Sequence, residues 1–373
     1  MKILKKHKNY QKLFSCPIFS IISLLFNSVK YYTKKNMLVF AAETSCDETS
    51  ICLMENRSII EHITFSQEIH KIHGGVVPEL ASRSHLEKIQ IMTNELFSRK
   101  NIDPNEIDLF SATCGPGLIG SLLVGSTFTK SLAVSFKKPF IPINHLEGHI
   151  LSTSFNNDIK FPSLVLLLTG GHTQVYLMKD ERNIELLGQS IDDAIGEAFD
   201  KTAKLIGLSY PGGAEIEREA VRGNENRFIL PKPLVKEKNF NFSFSGIKTY
   251  INLLTKKNKI DKNFIQDLSA SFQKNITELI IEKLERGLER LKLDKVNVKS
   301  LSVVGGVSNN NYIKKKLENF FINKDIEIYY PLKEMMIDNA AMIAWACYKN
   351  YHIGKDDIYF KPQPRMDVRN KLN

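Results

Sequence analysis

Cysteines are few in this sequence, and none of them stands in a recognisable motif. The 373 residues include five cysteines, which are Cys16, Cys46, Cys52, Cys114 and Cys347. No CxxC or CxxCH pair is present, so the sequence encodes neither a disulfide framework nor a cysteine-bound zinc site. We expect reduced, mostly buried thiols, as in a reducing compartment.

Long apolar runs are also missing. The most prominent run, FSCPIFSIISLLF at 14–26, has 13 residues, whereas a membrane-spanning helix needs about 20. No stable membrane association is therefore expected. The run lies within residues 1–36, which contain eight lysines and no Asp, Glu or Arg. These residues are interpreted as a targeting presequence, a cleaved signal peptide, or translated sequence upstream of a true start at Met37, and in each case lie outside the fold.

Outside this leader the net charge is small. Eight of the ten net positive charges belong to residues 1–36, which leaves +2 for residues 37–373. A nucleic acid would therefore have to be bound by a local basic patch and not by a global field. The hydrophobic content of 43% and the charged content of 25% are those of a globular protein. The chain is long enough for two lobes with separate cores.

Strands alternate with helices from Met37 onwards, which predicts an α/β fold with sheets covered on both faces. We predict strands at 38–42, 51–54, 107–112, 140–143, 163–168, 173–178, 301–304 and 326–330. We predict helices at about 78–99, 145–154, 311–320 and 338–348, and one that opens in CGPGLIGS (114–121) and runs to about 136. Mainly helical structure is expected from 194 to about 293. Polar turns at 43–50 and 169–173 each join two strands, which indicates two related lobes with a central cleft. The expected lobes are 37–163 and 164–337, the second with a helical insertion around 190–295, and 338–373 forms a helix and tail that return to the first lobe.

Two histidines, His145 and His149, stand one helical turn apart. This spacing lets both imidazoles reach one metal ion, although surface or capping histidines have the same spacing. A zinc-protease motif needs Glu directly after the first His, but that position is Leu146, and Glu147 points about 200° round the helix. Asp338 is either a third, oxygen ligand or the N-cap of the helix that follows it.

Glycine turns and carboxylates supply the other candidate features. The turns at Gly170–Gly171, Gly305–Gly306 and Gly115–Gly117 could each be a plain tight turn, but together they suggest a nucleotide held between the lobes. The first polar turn carries Glu43, Asp47 and Glu48, which either face phosphates through a cation or a proton, or are simply solvated. A second acidic group, at 192–200, is either part of a site or a solvent face paired with lysines. Its members are Asp192, Asp193, Glu197 and Asp200.

Together these motifs resemble the tRNA N6-adenosine threonylcarbamoyltransferases, a family formerly labelled sialoglycoprotein endopeptidases. The resemblance runs from Met37 to the C-terminus. It is carried by ETSCDETS (43–50), HGGVVPELASRSH (73–85), GPGLIGSLLVG (115–125), NHLEGH (144–149), LLTGGHTQ (167–174), GEAFDKTAKLIGL (196–208), YPGGAEIE (210–217), FSFSGIKT (242–249), VGGVSNN (304–310) and DNAAMIA (338–344).

The resemblance implies the two-lobed fold of actin, Hsp70 and sugar kinases. It implies transfer of a threonylcarbamoyl group from threonylcarbamoyl-AMP to N6 of the adenosine 3′ to the anticodon, in tRNAs that read ANN codons. It implies one divalent metal per subunit, Fe²⁺ or else Zn²⁺, on His145, His149 and Asp338, with Asp47 and Glu48 as catalytic carboxylates. The implied donor-binding residues are Leu167, Leu168, Thr169, Gly170, Gly171, Asp200, Gly213, Glu217 and Asn310.

Location and partners depend on the leader. A start at Met37 predicts a cytoplasmic protein, whereas a presequence predicts a mitochondrial or plastid one. The resemblance implies a paralogous subunit and a small ATPase as partners of a bacterial protein, and a homodimer for an organellar one. Two other classes remain open, a sugar kinase of the same fold and a non-catalytic scaffold. The turn at Glu43–Ser50 lacks the Asp-x-Gly-Thr phosphate loop of such a kinase, and a scaffold has no need of the HxxxH pair with Asp338.

Overall fold

The computed structural model of this protein describes residues 36–351 and 356–368. The interpretations of residues 1–35 therefore concern a segment outside the described residues. From Leu38 onwards the described residues form one compact unit. In this part of the chain, no helix combines the length and the apolar character that a membrane crossing requires.

Two five-stranded sheets form the framework. The strands of the first sheet are β1 (Leu38–Glu43), β2 (Glu48–Glu55), β3 (Ser58–Ser66), β4 (Leu109–Gly115) and β5 (Phe140–Asn144), in the order β3-β2-β1-β4-β5. Those of the second are β6 (Ser163–Leu168), β7 (Thr173–Asp180), β8 (Asn183–Gln189), β9 (Ser300–Val304) and β10 (Glu327–Tyr329), in the order β10-β9-β6-β7-β8. In each sheet the first strand along the chain pairs antiparallel with the second and parallel with the fourth. The two sheets thus repeat one topology.

Ten α-helices among the described residues cover the sheets. They are α1 (His70–His73), α2 (Pro78–Lys100), α3 (Ile119–Ser135), α4 (His145–Ser152), α5 (Ile195–Leu205), α6 (Gly212–Ala220), α7 (Ser245–Lys257), α8 (Lys262–Leu293), α9 (Asn311–Phe321) and α10 (Ala340–Tyr351). Helices α2 and α3 pack on the first sheet, and α5 to α9 share the apolar core of the second.

Helices α4 and α10 connect the two halves. Helix α10 contacts β1, β2 and α4, and residues Ala340 to Cys347 on it are all buried. Helix α4 contacts β4 and β5 of the first sheet and also β6 and β9 of the second. Helix α10 is apolar on all sides over these residues, and a helix of that kind needs a buried, central position. The first turn of α4 is therefore held between the sheets, next to the turns that follow β1 and β6.

The α/β class with two related halves is confirmed, and the predicted strands are present. Two further strands, β3 and β8, were not predicted. Each is the third strand of its antiparallel set and lies at a sheet edge, where side chains on both faces are partly exposed. Such a strand loses the apolar alternation that marks a half-buried one. The exact lobe bounds stay predictions.

Candidate active site

Helix α4 carries the two histidines at its start, directly after β5. The side chain of Asn144 caps this helix, because its Oδ1 accepts from the backbone N–H groups of Leu146 (2.8 Å) and Glu147 (3.2 Å). A capped first turn between two sheets leaves His145 6% exposed and His149 fully buried. The two rings lie edge to face, with centroids 4.9 Å apart.

Asp338 completes the cluster from the other side. Its Oδ1 lies 3.0 Å from His149 Nε2 and 3.5 Å from His145 Nε2. The capping alternative for Asp338 is wrong, because Asn339 Oδ1 accepts from Met342 N (2.9 Å) at the start of α10. Asp338 is therefore left to face the histidines.

The three side chains fit a metal ion. Ligands at about 2.1 Å from a metal lie about 3.0–3.4 Å apart in tetrahedral or octahedral geometry, close to the two measured separations. One ligand atom from each side chain lies within 4.8 Å of the other two. Glu43 Oε2, 3.0 Å away, accepts from His145 Nδ1–H, which leaves Nε2 as the atom with the lone pair. His149 Nδ1 is buried without a hydrogen-bond partner among the described residues, so this ring is oriented only through its Nε2.

Charge within the cluster is strongly coupled. Burial lowers the pKa of His145, but the Asp338 and Glu43 carboxylates outweigh burial and hold that pKa well above its usual range. Burial lowers the pKa of His149, despite its bond to Asp338. Glu43 is buried and also receives hydrogen bonds from Thr113 Oγ1 and the backbone N–H of Ser45. The carboxylates thus favour a cation at this point, whether a proton or a metal ion.

The acidic turn between β1 and β2 lies beside this cluster. Asp47 is half-buried in the turn, and Glu48 is the first residue of β2. Burial and the Asp47 carboxylate raise the pKa of Glu48 well above its usual range, and the two side chains share a hydrogen bond. Asp47 also helps to raise the pKa values of Asp200 and Tyr210, after burial. The turn of the first half therefore faces α5 of the second.

One buried histidine on α2 brackets this turn. His85 Nε2 lies 3.0 Å from the carbonyl oxygen of Cys46, and its Nδ1 lies 2.8 Å from Thr49 Oγ1. A carbonyl can only accept, so Nε2 carries the hydrogen and Nδ1 accepts from the Thr49 hydroxyl. Burial lowers the pKa of His85 and so favours the neutral ring. The ring thus fixes the residues on both sides of Asp47 and Glu48. Sequence reasoning had included His85 in a motif without a role.

The glycine turns meet at the end of the second sheet. After β6, Thr169 Oγ1 accepts from His172 N (2.9 Å), which closes the turn over Gly170 and Gly171. A Cβ on either glycine would meet nothing within 4 Å, so the turn is open to the cleft. Gly305 has φ +92°, and a Cβ there would lie 2.5 Å from the carbonyl oxygen of Leu168. The two turns are therefore in contact.

The other predicted donor residues lie around α6 and the start of α9. Asp200 Oδ1 accepts from Gly212 N (2.7 Å), and a Cβ on Gly213 would meet open space. Asn310 caps α9 by accepting from Ile313 N (3.0 Å). Glu217 Oε1 accepts from Asn311 N (2.8 Å). Glu217 and Asn310 thus already have partners in the protein, whereas Gly213 borders open space.

The acidic stripe on α5 is mostly structural. Asp193 pairs with Lys201 at 2.5 Å, and Glu197 Oε2 accepts from Ala194 N at 3.1 Å. Asp192 accepts from Phe244 N (2.8 Å) and so caps α7. Of these four acidic residues, Asp200 is the one whose pKa is raised in part by Asp47 of the acidic turn, after burial and Glu197.

Comparison with known proteins places the chain in a family. Residues 58–345 match the family model described as tRNA N6-adenosine threonylcarbamoyltransferase. The chain belongs to this family. A relative from Thermosipho africanus with the same name is 43% identical over 337 residues, covering 89% of this chain and 100% of that protein. One from Wolbachia pipientis is 38% identical, covering 88% and 98%.

Solved structures agree at the level of the fold. HypF from T. kodakarensis matches with a TM-score of 0.56 at 14% identity, covering 87% of this chain and 49% of that one. A full-length HypF in a phosphate- and nucleotide-bound form matches with a TM-score of 0.55 at 13% identity, covering 85% and 56%. At this identity the likeness concerns the fold alone, which is the two-lobed ATPase-like architecture that the family resemblance implies.

Proposed function

We propose that this protein transfers a threonylcarbamoyl group from threonylcarbamoyl-AMP to N6 of the adenosine 3′ to the anticodon, in tRNAs that read ANN codons. The observation that carries the proposal is the convergence of a metal-ligand cluster, an acidic turn and an open glycine turn, in a chain of this family. In the reaction N6 attacks the carbamoyl carbon and forms the new C–N bond. The bond from that carbon to the phosphate oxygen breaks, and AMP leaves with its electron pair.

His145, His149 and Asp338 would hold one divalent cation per subunit. Two imidazole nitrogens and a carboxylate oxygen suit Fe²⁺, which we favour, and also Zn²⁺. Such a cation supplies Lewis-acid stabilisation of negative charge on a donor oxygen. Glu43 fixes the ring of His145 by accepting from its Nδ1–H at 3.0 Å, so that Nε2 stays turned to Asp338.

Asp47 would receive the proton that leaves N6. This amine is a poor nucleophile because its lone pair is delocalised into the purine, so positioning and proton removal both lower the barrier. Burial and the Asp47 carboxylate raise the pKa of its neighbour Glu48. Two carboxylates in unequal environments can divide the roles of acid and base between them.

The glycine turn would hold the phosphate end of the donor. Backbone N–H groups at Gly170 and Gly171 can approach an anionic oxygen, because no side chain covers the two glycines. Thr169 would shape this site, because its own N–H donates to the His172 carbonyl oxygen and closes the turn. The strand end before the turn and the α6–α9 corner would contact the rest of the donor. The residues assigned to this contact are Leu167, Leu168, Asp200, Gly213, Glu217 and Asn310.

Lobe bounds, location and partners complete the proposal. The lobes are taken as 37–163 and 164–337, the latter with an insertion around 190–295, and 338–373 as the segment that returns to the first. We place the protein in the cytoplasm, working with a paralogous subunit and a small ATPase. With an organellar presequence it would act as a homodimer in a mitochondrion or plastid.

The test is a transfer assay with purified components. Protein loaded with Fe²⁺ is mixed with threonylcarbamoyl-AMP labelled in its threonine, and with a tRNA that reads an ANN codon. The expected result is label on the tRNA in wild type and its loss in His149→Ala, with the metal content measured in both. His62→Ala is the control, because His62 is a half-buried histidine that is bonded to Ser50 and is not part of the cluster. Absence of label with metal-loaded wild type would overturn the proposal.

A further inference from the structure

Helix α7 and the segment after it carry an unusual concentration of positive charge. Between residues 238 and 260 the sequence has five lysines and no acidic residue. Four of these and the next lysine in the chain are here called the α7 lysine face, and they are Lys248, Lys256, Lys257, Lys259 and Lys262. The intervening acid, Asp261, caps α8 by accepting from Phe264 N at 2.9 Å.

These lysines differ from the six described lysines in the second half of the chain that form ion pairs. Lys201, Lys232 and Lys274 each lie within 4.0 Å of at least one carboxylate. Within the described residues, no carboxylate lies that close to any member of the α7 lysine face. No neighbouring carboxylate therefore offsets the positive charge of the face, although residues 37–373 together carry only +2.

One side of α7 is exposed and combines lysines with larger side chains. Ile247 and Ile251 are fully buried and hold the helix on the core. On the outer side Tyr250 is 40% exposed and Leu253 is 50% exposed. A tyrosine beside lysines suits a single-stranded nucleic acid, because the ring can stack on a base while lysines contact the phosphates.

The helix begins beside the cleft. Its first turn is fixed by Asp192, which accepts from Phe244 N (2.8 Å) and Ser245 Oγ (2.8 Å). Asp192 lies three residues before the first residue of α5, and at the start of α5 a Cβ on Gly196 would lie 2.6 Å from the Cα of Gly170 in the glycine turn. The 13 residues of α7 extend about 20 Å at 1.5 Å per residue, long enough to follow several phosphates.

We propose that the α7 lysine face binds the phosphate backbone of the tRNA anticodon arm while the target base enters the cleft. The proposal rests on the proposed function for the identity of the RNA. With a nearly neutral body, a polyanion is held through a local patch, and phosphate contacts then fix its register without reading its sequence. The first turn of α7 lies near the glycine turn, and this relates to the site a patch that continues along the helix and beyond its end.

The test compares two triple variants that remove equal charge. Lys256→Gln/Lys257→Gln/Lys259→Gln neutralises the α7 lysine face. The control, Lys299→Gln/Lys315→Gln/Lys316→Gln, changes exposed lysines near β9 and β10, at the opposite edge of the second sheet from β8. Binding of an anticodon stem-loop RNA is measured by fluorescence anisotropy at several salt concentrations, and transfer kinetics are measured in parallel.

The α7 variant should bind the RNA at least about tenfold more weakly at 0.15 M salt, with a salt slope smaller by about two, since each lost contact removes about 0.7–0.9 from the slope. The KM for tRNA should rise with kcat nearly unchanged, and the control should match wild type.

RNA binding equal to wild type, or an equal loss in the control, would overturn the proposal. If instead only binding to phosphatidylserine vesicles falls, the face belongs to a membrane contact, which also overturns it. RNA binding is independent of turnover, so a wild type that binds the RNA through α7 but transfers nothing contradicts the proposed function alone.

Discussion

The bracket that His85 forms around the acidic turn leads to a sharp prediction. Its ring joins the Cys46 carbonyl to the Thr49 hydroxyl, at 3.0 and 2.8 Å, and Asp47 and Glu48 lie between these two anchors. Replacing His85 by Ala leaves both polar groups without this partner in a buried place. Each such group costs about 1–3 kcal/mol, so we expect a loss of about 2–6 kcal/mol in the free energy of unfolding.

A milder change separates the effect on the turn from the loss of stability. Thr49→Val keeps the side-chain shape and removes the hydroxyl that donates to His85 Nδ1. Gln67 Nε2 remains 3.3 Å from that nitrogen, so the cost should be near the low end, about 1 kcal/mol. The control is Thr93→Val, on the helix that carries His85. The buried hydroxyl of Thr93 donates to the Ile89 carbonyl oxygen at 2.7 Å.

Urea unfolding gives the two stability changes, and single-turnover transfer with saturating donor and tRNA gives the rate. Thr49→Val should slow transfer roughly tenfold or more, since small displacements of a catalytic group are costly. Thr93→Val should keep the wild-type rate. Equal rates in the two variants would mean that the bracket stabilises the fold without positioning the carboxylates, and the reasoning would be refuted.

Three further predictions concern the same cleft. Asp47→Asn should retain donor binding, measured by calorimetry, while transfer falls roughly 10²-fold, the usual scale for loss of a general base; an unchanged rate would make the residue structural. Gly305→Ala should unfold at a clearly lower urea concentration than Gly306→Ala. Gly305 has φ +92° and a Cβ there would lie 2.5 Å from the Leu168 carbonyl oxygen, whereas a Cβ on Gly306 would meet nothing within 4 Å. Equal unfolding midpoints would contradict this prediction. Burial lowers the pKa of His85 from its usual 6.5, so as the pH falls the unfolded chain binds a proton at this group before the folded chain does. The free energy of unfolding should therefore decrease below about pH 6.5, by at most about 1.4 kcal/mol per pH unit from this group. His85→Gln should weaken that dependence, and an unaltered pH profile would count against a neutral buried ring.

Much of the site could be predicted from short sequence signals. The i, i+4 spacing of His145 and His149 placed both rings on one face of a helix. Asp338 was a candidate third ligand, and the structure shows its Oδ1 3.0 Å from His149 Nε2 and 3.5 Å from His145 Nε2. Glycine at 170 and 305 marked two turns, but only the three-dimensional structure reveals that these turns touch, because the two glycines are 305 − 170 = 135 positions apart in the chain. Contacts of this kind depend on sheet order, which local pattern does not specify.

Other features were missed for physical reasons. The edge strands β3 and β8 expose side chains on both faces, so their sequences lack a clear alternation of apolar and polar residues. The buried position of His85, by contrast, could have been detected in the sequence from the spacing of apolar residues around it. Ala81, His85, Ile89, Met92 and Leu96 are all buried on α2 and follow one another at helical spacing, so His85 occupies an apolar stripe. A histidine in that position needs buried polar partners.

The central claim is that this cleft modifies one defined adenosine, and nucleoside analysis by mass spectrometry tests it most directly. The metal-loaded protein is incubated with threonylcarbamoyl-AMP and either a tRNA reading an ANN codon or the same tRNA with guanosine 3′ to the anticodon. After digestion, we predict N6-threonylcarbamoyladenosine at close to one per tRNA from the first substrate and none from the second. Absence of the modified nucleoside from the first tRNA, or addition of the group at another position in both, would contradict the account.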